Sequence, residues 1–270
     1  MPEPQLYLLT MVSAASISVL CVLAVGRRRG DGLAGQSSAS VLGLGVGIAV
    51  GCRMLSLNLG WPPANALDRF LLIIMPLTLA IELIAGRPDV PAKRVWGLRI
   101  ALAAACPGIL LYGSVYLSNS TDGWRWWQAG LTCAGCSGLL VGVWALLAGL
   151  AKRSPGVSIF LAVGLTTQAA GLTVMLAGYI KGGAVAFPLA ATLIATTVAV
   201  RLVARRGDGT VPVADGGLGQ MALPGIGVVS LYGVLFIGRF FGRLSTGSAV
   251  VMLLAPLCCW FTELPLLRHR

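Results

Sequence analysis

The sequence predicts an all-α protein, a polytopic membrane helix bundle of about nine transmembrane helices (range 8–10) in a single domain, residues 1–270. Hydrophobic residues make up 57% of the chain and charged residues only 11%, whereas a soluble domain carries about 25% charged residues. Apolar runs of about 20 residues recur along the chain, which is the length that a helix needs to cross a bilayer. These runs are continuous and do not alternate with polar residues, as the strands of a membrane barrel would.

The apolar runs define nine predicted spans, separated by polar or basic segments. They cover residues 6–25, 39–57, 66–85, 96–117, 128–150, 157–180, 184–204, 224–241 and 247–267. The link between the sixth and seventh spans, Lys181 to Gly183, is very short. One of these two spans could therefore be re-entrant and not cross fully.

The basic residues predict the orientation of the chain. No positive charge precedes the first span and Arg27, Arg28 and Arg29 follow it, which is the reverse of a signal peptide. With the N-terminus outside, most of the 20 Lys and Arg residues fall in loops on the inner side. Because basic residues favour the cytoplasmic side, we expect an outer N-terminus and an inner C-terminus. The membrane would be the plasma membrane, or the inner membrane in a bacterium.

Glycines and prolines inside the spans predict close packing and kinks. Gly43, Gly47 and Gly51 lie on one face of the second span at GxxxG spacing, which lets two helices approach closely. A proline inside a helix removes a hydrogen bond and favours a kink. The mid-span prolines are Pro76, Pro107, Pro188 and Pro256.

The start of the third span combines two charged residues with an apolar helix. Asp68 and Arg69 follow a turn that contains Pro62 and Pro63. Asp68 either interacts with the positive end of the helix dipole or pairs with Arg53 at the end of the second span. Arg69 is expected to extend toward the lipid headgroups.

Two acidic residues, Glu82 and Glu263, lie inside predicted spans. A charge at the middle of a bilayer costs about 2.5–3.5 kcal/mol on insertion scales, so both side chains should face other helices. Each follows a proline in a span that runs from outside to inside. One interpretation is a duplicated hairpin, with copies at 39–85 and 224–267, as in transporters with parallel repeats. The other is chance similarity between two Leu-rich helices.

Three classes of function fit these features. In a small-solute or lipid-type transporter, Glu82 and Glu263 would face a shared cavity and bind a cation or proton. In a non-catalytic scaffold subunit of a membrane complex, the same acids would pair with arginines of a partner. A membrane enzyme is the third, but no Ser/His/Asp set, zinc motif or phosphate-binding loop is present, so we expect no catalytic activity.

Composition also limits the partners and cofactors. The net charge of +11 arises from basic residues in loops between apolar runs, so we expect no nucleic acid. The expected partners are the lipid bilayer, a small solute or other membrane subunits. His269 is the only histidine and the seven cysteines lie mostly within spans, where they are typical of small buried residues. We therefore expect no metal and no cofactor.

Overall fold

The structure is a computed structural model, and it describes residues 4–29, 33–57, 59–87, 89–117, 123–153, 158–206 and 218–263. This part of the chain is helical and contains no strand, so the all-α prediction is confirmed for it. The helices are α1 (Pro4–Arg29), α2 (Leu33–Met54), α3 (Ala66–Arg69), α4 (Met75–Ala85), α5 (Ala92–Leu111), α6 (Trp126–Arg153), α7 (Ser158–Leu176), α8 (Ile180–Arg206), α9 (Leu218–Phe241) and α10 (Thr246–Leu254). A π-helical turn (Phe70–Ile74) joins α3 to α4, a 3-10 turn (Val115–Leu117) follows α5, and a 3-10 segment (Ala255–Glu263) follows α10.

Seven helices, α1, α2 and α5 to α9, are long and apolar enough to cross a membrane. The other two predicted spans are interrupted helices. The third consists of α3, the π-helical turn and α4, which run without a gap from Ala66 to Ala85; we call it the broken helix. The ninth is α10 followed by the 3-10 segment. The seven apolar helices support a membrane location.

Helix α9 lies at the centre of the bundle. Within its apolar window 89% of the residues are buried, against 22% for α1. It contacts α2, α4, α6, α7 and α8, whereas α1 lies at the edge, against α2 and α8. Core residues of α9 such as Ile226 and Val229 are fully buried.

Contacts between connecting segments define one end of the bundle, which we call the Tyr116 end. Tyr116 Oη donates to the Phe240 carbonyl at 3.1 Å, so the segment after α5 meets the end of α9. The Arg243 N–H donates to the Ala177 carbonyl at 2.9 Å, which joins the segments after α9 and α7.

The segments that the predicted threading assigns to the opposite side meet at the other end. Gly86, after α4, lies directly against the Ser37 side chain of α2. The Arg153 guanidinium, at the end of α6, lies 5.4 Å from the centre of the Trp260 ring in the final 3-10 segment. Among the connections that the structure describes, those after α4 and α6 therefore lie at one end of the bundle and those after α5, α7 and α9 at the other.

The link between the sixth and seventh spans differs from the prediction. Helix α7 ends at Leu176 and α8 begins at Ile180, so the turn is residues 177–179. Gly178 has φ +90°, a conformation that favours glycine and commonly ends a helix. Gly183 lies inside α8, against the Gly171 carbonyl, where a side chain would overlap α7. The glycines assigned to a linker therefore permit close helix packing, and both helices are long enough to cross.

The GxxxG glycines of α2 lie against α1 and α8. A Cβ added to Gly47 would be 2.9 Å from the Ala14 carbonyl, and one added to Gly51 would overlap the Pro188 ring. Gly43 faces Val22 of α1 in the same way. The backbone of α2 therefore approaches both neighbouring helices more closely than side chains would permit.

The four mid-span prolines have different surroundings. Helices α5 and α8 continue through Pro107 and Pro188. Regular α geometry changes beside the other two, since Pro76 is the second residue after the π-helical turn and Pro256 lies in the 3-10 segment. Because proline cannot donate to the preceding turn, a change of helix type there is physically expected.

Candidate functional site

A buried ion pair joins the broken helix to α5. Glu82 has no exposed surface and Arg99 is only 7% exposed. Arg99 Nε donates to Glu82 Oε1 at 2.9 Å and Nη2 donates to Oε2 at 2.7 Å. Both carboxylate oxygens are therefore engaged by one guanidinium, the strongest geometry for such a pair.

Aromatic rings enclose the arginine. The Arg99 guanidinium lies 5.3 Å from the centre of the Trp96 ring and 5.5 Å from that of Trp144. A cation over an indole face is attracted by the ring's quadrupole, more strongly when water is excluded. Trp144 itself is only 1% exposed. The positive charge is therefore balanced by Glu82 and by two rings, from α5 and α6.

Gly225 of α9 completes the surroundings of Glu82. A Cβ at this position would overlap Glu82 Oε1 and would lie 2.9 Å from Trp144 Cζ2. The carboxylate therefore fits because this residue has no side chain. Four elements, α4, α5, α6 and α9, converge on the ion pair.

The ion pair is sealed, which limits what it can do chemically. A carboxylate that binds a transported cation needs access to water and a free oxygen, and Glu82 has neither in this conformation. Breaking a buried pair by removing one partner typically costs about 3–5 kcal/mol, because a charge is left uncompensated. The arrangement is suited to holding α4 against α5.

The other half of the broken helix is held by Arg69. The prediction that Arg69 extends toward the headgroups is wrong, because it is only 8% exposed. Its Nη2 donates to the Ala64 carbonyl at 2.7 Å and its Nη1 to the Tyr112 carbonyl. These two charge-assisted hydrogen bonds give the buried guanidinium acceptors inside the bundle.

Asp68 lies in the first turn of α3 and is 7% exposed. Burial raises the pKa of Tyr179, in the turn between α7 and α8, and the negative charge of Asp68 raises it further. In the described residues Asp68 forms no ion pair with Arg53. The alternative of a clamp between the second and third spans is therefore not observed.

The broken helix changes geometry between these two anchors. The Met75 N–H donates to the Phe70 carbonyl, one residue further back than in an α-helix. The next residue, Pro76, has no N–H to donate, so a carbonyl of the Leu71–Leu72 turn loses its helical partner. Such π-helical turns are rare and occur frequently at functional sites.

A groove with a volume of about 480 Å³ lies beside this turn, between α2 and the broken helix. Its wall is mainly apolar and includes Ile48 and Ala49 of α2 and Leu72 and Leu79 of the broken helix. Binding pockets for small molecules span about 300–1,000 Å³ and are mostly apolar with a few polar groups. The groove has these properties.

Arg53 is the charged residue in the lining of this groove. It lies in the last turn of α2 and its side chain is exposed. No carboxylate in the described part of the chain pairs with it. Of the predicted polar residues whose side chains the structure describes, Arg53 is therefore the one that is exposed and available to a ligand.

The acid of the ninth span and the duplicated hairpin are not tested by these contacts. Glu263 ends the 3-10 segment, and its side chain lies outside the described residues. The two hairpins, 39–85 and 224–267, depart from α geometry in opposite ways, by a wider π-helical turn in one and a tighter 3-10 segment in the other. The duplication stays a prediction.

Sequence reasoning identified Glu82 and missed the residues around it. Arg99 carried a signal, since it is a basic residue inside the span that follows the Glu82 span. Trp144 and Gly225 carried none, because they come from distant helices. The Glu82–Arg99 pair is thus within the chain, whereas the scaffold hypothesis placed the arginine on a partner.

No protein-family model, no curated protein and no solved structure matches this chain. Its function is therefore inferred from the geometry of its own residues.

Proposed function

We propose that the chain is a multi-pass integral protein of the plasma or inner membrane, with nine crossings and an outer N-terminus. The alternation of connections between the two ends of the bundle supports this threading. The broken helix and the segment from Thr246 to Glu263 would then be the third and ninth crossings. Each has an apolar composition but an interrupted hydrogen-bond pattern, which neighbouring helices compensate in membrane proteins.

We infer that the protein moves a lipid-type solute and has no catalytic activity. The observation that carries this proposal is the groove beside the π-helical turn, with an apolar wall and one available cation, Arg53. A lipid-type solute presents an apolar chain and a polar head, which matches both parts of the groove. An inorganic cation would need oxygen ligands, which the mainly apolar wall does not supply.

The broken helix supplies a place for movement. Its first half is anchored by Arg69 to the Tyr112 and Ala64 carbonyls. Its second half is anchored by Glu82 to Arg99. The π-helical turn and Pro76 lie between the two anchors, and interruptions of this kind are where helices bend. Bending there would change the width of the groove while both ends stay in place.

The experiment is lipid movement in proteoliposomes. A headgroup-labelled fluorescent phospholipid is reconstituted with the full-length protein, and the rate at which it becomes accessible to an outside quencher is measured. We expect a faster rate than in protein-free vesicles. Ala49→Phe, which fills the exposed wall of the groove, should return the rate to the protein-free value. Ala145→Phe, at an exposed alanine of α6, is the matched control and should behave as wild type. Equal rates with and without protein would overturn the proposal.

A scaffold subunit is the second candidate function, and the sealed ion pair favours it. Glu82 is buried, is paired with Arg99 and binds no solute in this conformation, which is what we expect of an acid whose role is purely structural. The two candidates differ in the proteoliposome experiment, since a scaffold moves no lipid by itself. A scaffold should instead co-purify with a stable membrane partner at fixed stoichiometry.

A further inference from the structure

We propose that the groove between α2 and the broken helix holds one phospholipid of net negative charge, with its phosphate at Arg53 and one acyl chain along the wall toward Leu79. This inference rests on the proposed function, because it names the class of lipid that the groove takes. Three features of the groove carry it: the exposed charge of Arg53 at one end, which we call the mouth, the length of the groove along α2, and its mainly apolar wall.

The charge favours an anion. Arg53 is exposed, lines the groove and has no acidic partner among the described residues. Asp68, an acid at the start of the broken helix, is buried and forms no ion pair with Arg53. A guanidinium offers several donors in a plane and binds phosphate oxygens in pairs. A phosphate at Arg53 would therefore gain an ion pair without displacing an existing one.

The length of the groove along α2 matches the thickness of one leaflet of a bilayer. The groove follows α2 from Arg53 back to Gly45, and eight residues of α-helix rise about 12 Å. Half of the hydrocarbon core of a bilayer is about 15 Å thick. A lipid whose phosphate lies at Arg53 could therefore lay most of one acyl chain along the groove without leaving its leaflet.

The wall narrows at its far end. A Cβ added to Gly45 would lie 3.1 Å from Leu79 Cδ1, so α2 and the broken helix nearly touch there. Nearer the mouth, Ala49 is small and exposed, which leaves room for a chain. Free phosphate would use Arg53 and leave the wall empty, whereas a phospholipid uses both parts of the groove.

The experiment compares two phospholipids with identical acyl chains, phosphatidylglycerol and the zwitterionic phosphatidylcholine. The full-length protein is delipidated in a non-ionic detergent, and bound lipid is counted by native mass spectrometry during titration. Wild type should bind one phosphatidylglycerol and should bind phosphatidylcholine about tenfold more weakly, because the choline cation offsets the phosphate charge and is repelled by Arg53. Added glycerol phosphate at the same concentration should not displace the lipid. The preference should fall as salt is raised.

Variants separate the two parts of the groove. Arg53→Gln should lose the preference for phosphatidylglycerol, and Arg53→Lys should keep most of it. Ala49→Phe should lose both lipids. Two matched controls should bind as wild type. Arg243→Gln replaces an exposed arginine at the Tyr116 end of the bundle, and Ala145→Phe adds a ring at an exposed alanine of α6.

Failure of this inference and failure of the proposed function are distinguishable. Equal affinity of wild type for the two lipids, displacement by glycerol phosphate, or an unchanged preference in Arg53→Gln overturns the anionic-lipid assignment, even if lipid still moves in proteoliposomes. Retention of one phosphatidylglycerol without any lipid movement supports the site and overturns the transport proposal instead.

Discussion

Arg99 holds both carboxylate oxygens of Glu82, at 2.9 Å and 2.7 Å, across the interface between α4 and α5. The pair is enclosed by Trp96 and Trp144 and by the backbone of Gly225. A pair this deeply buried adds little net stability compared with apolar residues of similar size, yet it is costly to break. The contribution of the pair to stability can therefore be measured by replacing one or both of its side chains.

Replacing one partner should destabilise the protein more than replacing both. Arg99→Leu leaves Glu82 buried without a counter-charge, and we expect a loss of about 3–5 kcal/mol. The double variant Glu82→Leu/Arg99→Leu should recover much of that loss. The measurement is thermal unfolding in detergent for both single variants and the double variant. A double variant that is less stable than either single one would show that the two side chains are not coupled as a pair.

Gly225→Ala should disturb the same pair from the opposite side. The added methyl group would overlap Glu82 Oε1 and approach Trp144 Cζ2, and forcing an atom into a packed site typically costs about 1–3 kcal/mol. Gly138→Ala is the matched control, because a Cβ there meets nothing within 4 Å. In the control the alanine should be neutral or should stabilise the helix by about 0.5–1 kcal/mol. Equal melting temperatures of the two variants would contradict the packing of α9 on Glu82.

Gly47→Ala should loosen the contact of α2 with α1 and α8. The new Cβ would lie 2.9 Å from the Ala14 carbonyl, and backbone cannot move aside as a flexible side chain can. We expect a loss of about 1–3 kcal/mol, measured by thermal unfolding. Gly142→Ala is the control. Gly142 also lies four residues after another glycine, but a Cβ there meets nothing within 4 Å. If both variants unfold at the wild-type temperature, α2 is not packed as closely as described.

Tags at three positions test the nine crossings. An epitope tag before Pro4 should be removed by protease added outside intact cells, while tags within residues 207–217 and after residue 270 should be protected. If the broken helix does not cross, residues 207–217 would lie outside and that tag would be cleaved. If the final segment does not cross, the last tag would be cleaved while the tag at 207–217 stays protected.

The apolar runs by themselves determined the all-helical fold and the membrane location, because a helix in hydrocarbon satisfies its own backbone and its length follows from the bilayer. The same reasoning singled out Glu82, since a charge in such a run needs a partner inside the bundle. The boundaries at Lys181 to Gly183 were less predictable, because glycines that pack helices and glycines that end them are alike in sequence.

Only the tertiary structure decided which partner Glu82 takes and where a ligand fits. The pairing with Arg99 depends on the rotation and depth of α4 against α5, and Trp144 and Gly225 reach it from helices far away in the chain. The groove exists because α2 and the broken helix meet at Gly45 and diverge toward Arg53. Such distances follow from the packing of several helices at once, which no local pattern of residues encodes.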